Sequence, residues 1–213
     1  MQIIKCGAEA ILYLDEFEGQ RVLVKDRIPK KYRIKQIDEK IRKARTKKEV
    51  KLLTESRKCG VMTPKILHVD EVANKIIMEF VDGERIKELL NSVDKKTIEK
   101  VCLIIGENIG KLHANGIIHG DLTTSNMILS NGQIYFIDFG LGDFSKRIED
   151  KGVDLNLLQE AIKSTHYKIL DLCWQNIVKG YKKEYKDADI VLRKVDEIEK
   201  RARYMDRKTE GKR

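Results

Sequence analysis

One stretch, residues 117–140, constrains this chain more than any other: IIHGDLTTSNMILSNGQIYFIDFG. Its two apolar runs, NMILS and QIYFIDF, flank Asn131-Gly132. That dipeptide fits the tight hairpin turn whose two central residues both need positive φ. His119, Asp121, Asn126 and Asp138 lie among these runs at loop positions and strand ends. A hairpin closed at Asn131-Gly132 would draw Asp121, Asn126 and Asp138 into one small space.

The rest of the chain supplies the scaffold. The first 26 residues read as strands, with AEAILYLDEF and QRVLVKD forming a hairpin around Glu18-Gly19. From about Ile34 to Lys58 the pattern turns helical, because Ile34, Ile37, Ile41 and Ala44 recur at three- to four-residue spacing, and Gly60 is a stop signal. KILHVDEV and NKIIMEFV then give two strands about Ala73-Asn74, followed by helices near residues 85–90 and 95–114. Beyond the hairpin, helices are expected at about 153–164, 167–185 and 188–203. Strands with one helix come first, and helices with a small hairpin follow, so the expected class is α+β. The expected organisation is one domain, with an N-lobe over 1–81, a C-lobe over 82–203 and a basic tail over 204–213. Past Met205 there is no apolar periodicity and Gly211 sits among charges, so the tail is expected to be flexible.

A chain of 213 residues with 41% hydrophobic content can bury a core. Cys6, Cys59, Cys102 and Cys173 are scattered without CxxC spacing, which excludes a zinc ribbon or a disulfide framework and points to a reducing cytoplasm. No apolar run reaches the roughly 20 residues of a membrane span, and MQIIKCGAEA lacks a signal-peptide pattern, so no membrane association is expected. The net charge of +9 is uneven: residues 27–58 hold 14 Lys/Arg against 4 Asp/Glu, and residues 193–213 hold 9 against 5. Such local excess suits a phosphate-rich polymer or an acidic partner. It also suits the solvated Lys/Glu surface of a heat-adapted protein.

Asp121, Asn126 five residues on, and Asp138 in Asp-Phe-Gly resemble the catalytic and metal-binding segments of the protein-kinase fold. Phosphoryl transfer from ATP needs a carboxylate to orient the attacking oxygen, a role for Asp121, and hard oxygen ligands for Mg2+, a role for Asn126 and Asp138. Gly140 lets the chain turn away afterwards. Lys25 ends the apolar strand RVLVK, where such a fold places its phosphate-binding lysine. Glu49 in RTKKEVKLL is its expected ion-pair partner, with Glu55 in reserve. IIMEFVDG resembles the segment between lobes, where the backbone around Glu79 and Val81 would meet an adenine edge. His119 is expected to brace its loop, His113 to be structural, and His68 and His166 carry no signal.

Taken together, KCGAEAILY, VLVKDRIPKKYR, RTKKEVKLL, IIMEFVDGERIKELL, LHANGIIHGDLTTSNMIL and IYFIDFGL resemble the small kinase/ATPase subunit of the KEOPS complex, the family that includes the p53-related protein kinases. The likeness runs over nearly the whole chain. It implies a minimal bilobal kinase fold using ATP and Mg2+, alongside a threonylcarbamoyl transferase subunit and other KEOPS subunits that modify tRNA. The tRNA would be met by the basic helix and the tail. Departures from ordinary kinases bear on mechanism. Gly7, followed by Ala8 and Glu9, replaces a glycine-rich phosphate loop, which places Glu9 near the site. Gly120 stands where many kinases have an arginine for a phosphorylated activation loop, Thr123 replaces a lysine, and no Ala-Pro-Glu follows. Asp154 resembles the aspartate that braces the catalytic loop, and an N-terminal helix cap is its alternative. Three other readings stay open: a self-sufficient Ser/Thr protein kinase, a small-molecule phosphotransferase and a nucleotide-bound RNA-binding scaffold.

Overall fold

The computed structural model describes residues 2–210, with side chains through residue 201. Strands β1 (Gln2–Cys6), β2 (Ile11–Phe17), β3 (Gln20–Asp26), β4 (Ile66–Asp70) and β5 (Lys75–Glu79) form one antiparallel sheet in the order β1-β2-β3-β5-β4. Its tight turns sit where the sequence offers them: Glu18 and Gly19 both have positive φ, at 50° and 73°, and Asn74 has φ 58°. Alternation along β3 gives the sheet two faces. Val22 and Val24 pack with Tyr13 on one face, while Leu23 and Lys25 turn towards the cleft on the other.

Helix α1 (Lys35–Lys58) crosses between the sheet and the remainder of the chain. The helix matches the expectation, but its buried face does not. Ile34 and Ile37 are exposed, whereas Asp38, Thr46, Glu49, Leu52, Leu53 and Ser56 are buried. The side chains facing inward are largely polar because this helix lines a charged cleft, and two of its inward carboxylates are paired with cations.

The second half is mainly helical. After β6 (Glu84–Arg85) come α2 (Ile86–Leu89), α3 (Lys95–Ala114) and β7 (Ile117–Ile118). Then follow the hairpin β8 (Met127–Ser130) and β9 (Gln133–Phe136), β10 (Asp143–Phe144), α4 (Ile148–Thr165), α5 (Leu170–Glu184) and α6 (Ala188–Glu210). Asp94 caps α3 by accepting from the Thr97 amide at 2.7 Å. The larger core is built from Ile98, Val101, Ile105, Ile109 and Leu112 of α3 with Leu155, Leu158, Ile177, Tyr181 and Val191. Each such aliphatic side chain contributes about 1.5–3 kcal/mol on burial. Helices α3 and α5 cross at near backbone contact: a Cβ on Gly106 would stand 2.0 Å from the Ile177 carbonyl oxygen, and one on Gly180 2.1 Å from that of Leu103.

Helix boundaries differ from expectation in the last third. Helix α4 starts at Ile148 rather than Val153, a 3-10 turn at Tyr167–Ile169 precedes α5, and α6 runs to Glu210 rather than ending at Arg203. Residues 204–210, read as flexible tail, are thus helical in backbone, and 211–213 lie outside the described residues.

The two halves join at the chain segment after β5. A Cβ on Gly83 would lie 2.3 Å from the Leu129 carbonyl oxygen, and Ser130 Oγ donates to the Asp82 carbonyl at 2.5 Å. Nearby, Phe136 N donates to the Met62 carbonyl at 2.8 Å, fastening the segment after α1 to the hairpin.

Candidate active site

The site is built where β3, α1 and the chain after β9 converge. Lys25, almost at the end of β3, sends its ammonium inward while Asp26 turns outward to Lys75, at 3.0 Å. Lys25 Nζ donates to Glu49 Oε1 at 2.6 Å and to Asp138 Oδ1 at 2.7 Å. Burial pulls the Lys25 ammonium towards neutrality, but Glu49 and Asp138 outweigh it and hold its pKa above the ordinary lysine value. Burial would raise the Asp138 carboxyl, yet Lys25 and the Gly140 amide keep it below the ordinary aspartate value. Asp138 itself has φ 63°, the left-handed region, which aspartate tolerates better than most residues. Glu55 faces Lys58 at the surface, at 2.8 Å, so Glu49 is the partner of Lys25.

The loop at residues 119–121 is held from behind. Asp154, buried within α4, accepts from the amides of His119 and Gly120, each at 2.8 Å, and lies 3.3 Å from His113 Nε2. It braces the loop from inside a helix and is not an N-terminal cap. Burial opposes its ionisation, but His113, His119 and the loop amide hold its pKa below the ordinary value. His119 Nε2 donates to the Ile137 carbonyl at 3.1 Å, and its Nδ1 accepts from the Asp121 amide at 3.3 Å. Burial lowers the His119 pKa despite Asp154, Asp138 and Asp121 nearby, so the ring is a neutral strut. Asn126 Nδ2 donates to Asp121 Oδ2 at 2.8 Å and to its carbonyl at 2.9 Å, which leaves the Asn126 amide oxygen outside both bonds. Gly120 has φ 81°, and a Cβ there would meet the Leu141 carbonyl at 2.3 Å, so no arginine can take its place.

The cleft has an apolar end and a charged end. Leu12, Leu23, Met78, Ile128 and Ile137 line the first, together with Glu79 and Val81. The Glu79 amide already donates to the Lys65 carbonyl at 2.8 Å, so hydrogen bonding to a ligand there falls to the segment's other backbone groups. The charged end is lined by Gly7, Glu9, Arg27, Asp121 and Gly140, and Lys25 and Asp138 border both. Asn126 is among the lining residues of neither end and reaches the site through Asp121. The turn after β1 at the charged end is closed by a Gly7 amide bond to the Ala10 carbonyl at 2.9 Å. Side chains fasten it: Glu9 pairs with Arg45 at 2.6 Å and Arg33 at 3.4 Å, and Lys30 donates to the Ala8 carbonyl.

Two participants escaped the sequence reading. Arg27 Nη2 holds the second oxygen of Glu49 at 2.5 Å. Its signal was the spacing Lys25-x-Arg27, which points both cations the same way from an extended strand. His166, given no role, is buried between Thr124 Oγ1 at 3.3 Å and Asn91 Oδ1 at 3.1 Å, where it ties the loop before β8 to the segment just after α2. Its partners are 42 and 75 residues away, which no local pattern encodes.

A small antiparallel sheet with one helix, a helical second half and a cleft carrying this Lys-Glu-Asp cluster define an atypical, kinase-like class. Residues 13–141 match the RIO domain family. The chain is 48% identical over 216 residues to KEOPS complex subunit Bud32 of Pyrococcus abyssi, covering 97% of this chain and 98% of that one. It is 47% identical over 206 residues to a probable bifunctional tRNA threonylcarbamoyladenosine biosynthesis protein of Methanosarcina mazei, covering 95% of this chain but only 36% of that protein. This chain belongs to the RIO-domain family, in its KEOPS Bud32 branch. The solved structure of WaaP in complex with acyl carrier protein matches with a TM-score of 0.64 over 99% of this chain and 88% of that one, at 14% identity, a likeness of fold alone.

Proposed function

We propose that the chain binds Mg-ATP in this cleft and, as an atypical kinase or ATPase, moves its terminal phosphoryl group to water or a partner hydroxyl in support of tRNA threonylcarbamoyladenosine synthesis. The observation that carries the reading is Lys25 Nζ, held 2.6 Å from Glu49 and 2.7 Å from Asp138 although these residues lie 24 and 113 positions away in sequence. The relatives named above, a KEOPS complex subunit and a tRNA threonylcarbamoyladenosine biosynthesis protein, support the tRNA-modification setting; a threonylcarbamoyl transferase as partner and the cytoplasm as the place are part of the proposal. Among the described residues no helix is long and apolar enough to cross a membrane.

In this reading the apolar end takes the adenine, with backbone groups around Glu79 and Val81 meeting its edge. Lys25 faces the phosphates, and Glu49 fixes its direction. Asp121, positioned by Asn126 Nδ2, orients the attacking oxygen. Asp138 and the Asn126 amide oxygen are hard ligands of the kind magnesium takes. Magnesium, when bound, neutralises charge developing on the phosphate oxygens.

The test is phosphate release from ATP by the chain alone, with the transferase and with transferase plus tRNA. Stimulation by the partners is expected. A rate that neither partner changes would overturn the assignment to tRNA modification.

A further inference from the structure

We infer that Arg27 is a positioning residue of the phosphate site, holding Glu49 so that Lys25 can turn its ammonium to a phosphate oxygen; this rests on the Mg-ATP reading above. Arg27 is 3% exposed, and its Nη2 lies 2.5 Å from Glu49 Oε2, while Lys25 takes Oε1 of the same carboxylate at 2.6 Å. Glu49, itself 2% exposed, is therefore gripped on both oxygens by two cations.

The charge count explains why the second cation matters. The cluster sets Lys25 and Arg27 against Glu49 and Asp138, so it is balanced. Without Arg27, one ammonium would face two carboxylates at the place where phosphates must approach, and the surplus negative charge would repel them. When Lys25 exchanges its Asp138 contact for a phosphate oxygen it keeps its Glu49 contact, and Arg27 on the other carboxylate oxygen holds Glu49 in place to aim the ammonium. A buried carboxylate stripped of a partner is costly, so without Arg27 the lysine would be held back by Glu49.

The arginine is fixed for this task. Its amide donates to the Asn74 carbonyl at 3.4 Å, and its own carbonyl accepts from Arg42 Nη1 at 3.4 Å. Among the described residues its Nε has no hydrogen-bond partner, and its Nη2 ties the side chain to Glu49. A Cβ on Gly140 would lie 3.3 Å from Lys25 Nζ and 3.6 Å from Arg27 Nη2, so both cations crowd the turn after Asp138.

The experiment measures binding of Mg-ATP and of adenosine, together with KM and kcat for ATP, on full-length R27M, R27K, E49Q, K25M and the R27M/E49Q double variant. R27M should weaken Mg-ATP about tenfold and raise KM more than it lowers kcat, with adenosine binding unchanged. R27K should recover part of the loss, and the double variant should bind no worse than E49Q, because both changes break one contact. Wild-type ATP affinity in R27M, losses that multiply in the double variant, or equal weakening of ATP and adenosine would each overturn the inference. If K25M binds Mg-ATP like the parent chain, the phosphate-site reading falls, and the inference with it.

Discussion

At the scale of single residues, the proposed reading gives Asp138 and Asp121 different tasks, and two substitutions separate them. Asp138 sits at φ 63°, so Asn, which tolerates the left-handed region, is the fair replacement and Ala is not. D138N should remove magnesium-dependent ATP turnover while the chain stays folded, since the residue lies at the cleft rather than in the core. Asp121 also lines the charged end, bonded to Asn126. D121N should leave nucleotide binding within a few-fold and lower kcat by about 100-fold, a common loss for a displaced general base. Equal loss of ATP affinity in both variants, measured by titration, would show that binding and proton handling are not divided this way.

At the scale of elements, the crossing of α3 and α5 is the least forgiving contact. Gly106 and Gly180 each face a backbone carbonyl that cannot move aside without shifting a helix. G180A should cost about 2–3 kcal/mol in urea unfolding, the upper range for overpacking. G19A, in an open turn with φ 73° and nothing within 4 Å, should cost only about 1–2 kcal/mol of left-handed strain. A smaller loss in G180A than in G19A would mean that the helices part easily. This contrast also marks what the sequence could tell. Hairpin turns and α3 were legible because Glu18-Gly19, Asn131-Gly132 and the repeating apolar residues 98–112 are local signals. The buried face of α1 was not: Ile34 and Ile37 point outward because Glu49 must reach Lys25, a demand set by a strand from another part of the chain. The pairs β6, β7 and β10 span two residues each, too short for a period of two to show. The Lys25, Glu49 and Asp138 cluster was readable because each residue sits in its own local motif, whereas Arg27 offers only its spacing from Lys25 and His166 only distant partners.

At the scale of the whole molecule, buried titratable groups link the sheet to the helical half and set the pH range of the fold. Lys25, with its pKa raised, contributes stability that is complete below the ordinary lysine value and lost only as pH climbs through its folded value. Asp138 and Asp154, with pKa values lowered, contribute stability above the ordinary aspartate value that disappears as acid protonates them. The two histidines act earlier. Burial lowers His119 and His166, the latter with help from Lys87 and against Glu88, so the unfolded chain takes up protons at these rings first. Stability should therefore hold steady at neutral pH and fall as pH drops below about 6.5, the unfolded histidine value. For a chain of this length the melting temperature should move by about 2–4 °C per kcal/mol lost. His166 ties Thr124 to Asn91 without touching the proposed metal ligands, which makes it the residue to change. H166Q removes one titrating ring, so the drop in melting temperature between pH 7 and pH 5 should be smaller in the variant than in the parent chain, even if the variant starts lower. An identical drop in both chains would show that His166 keeps its ordinary titration in the folded protein, and that His119 and the carboxylates carry the acid response alone.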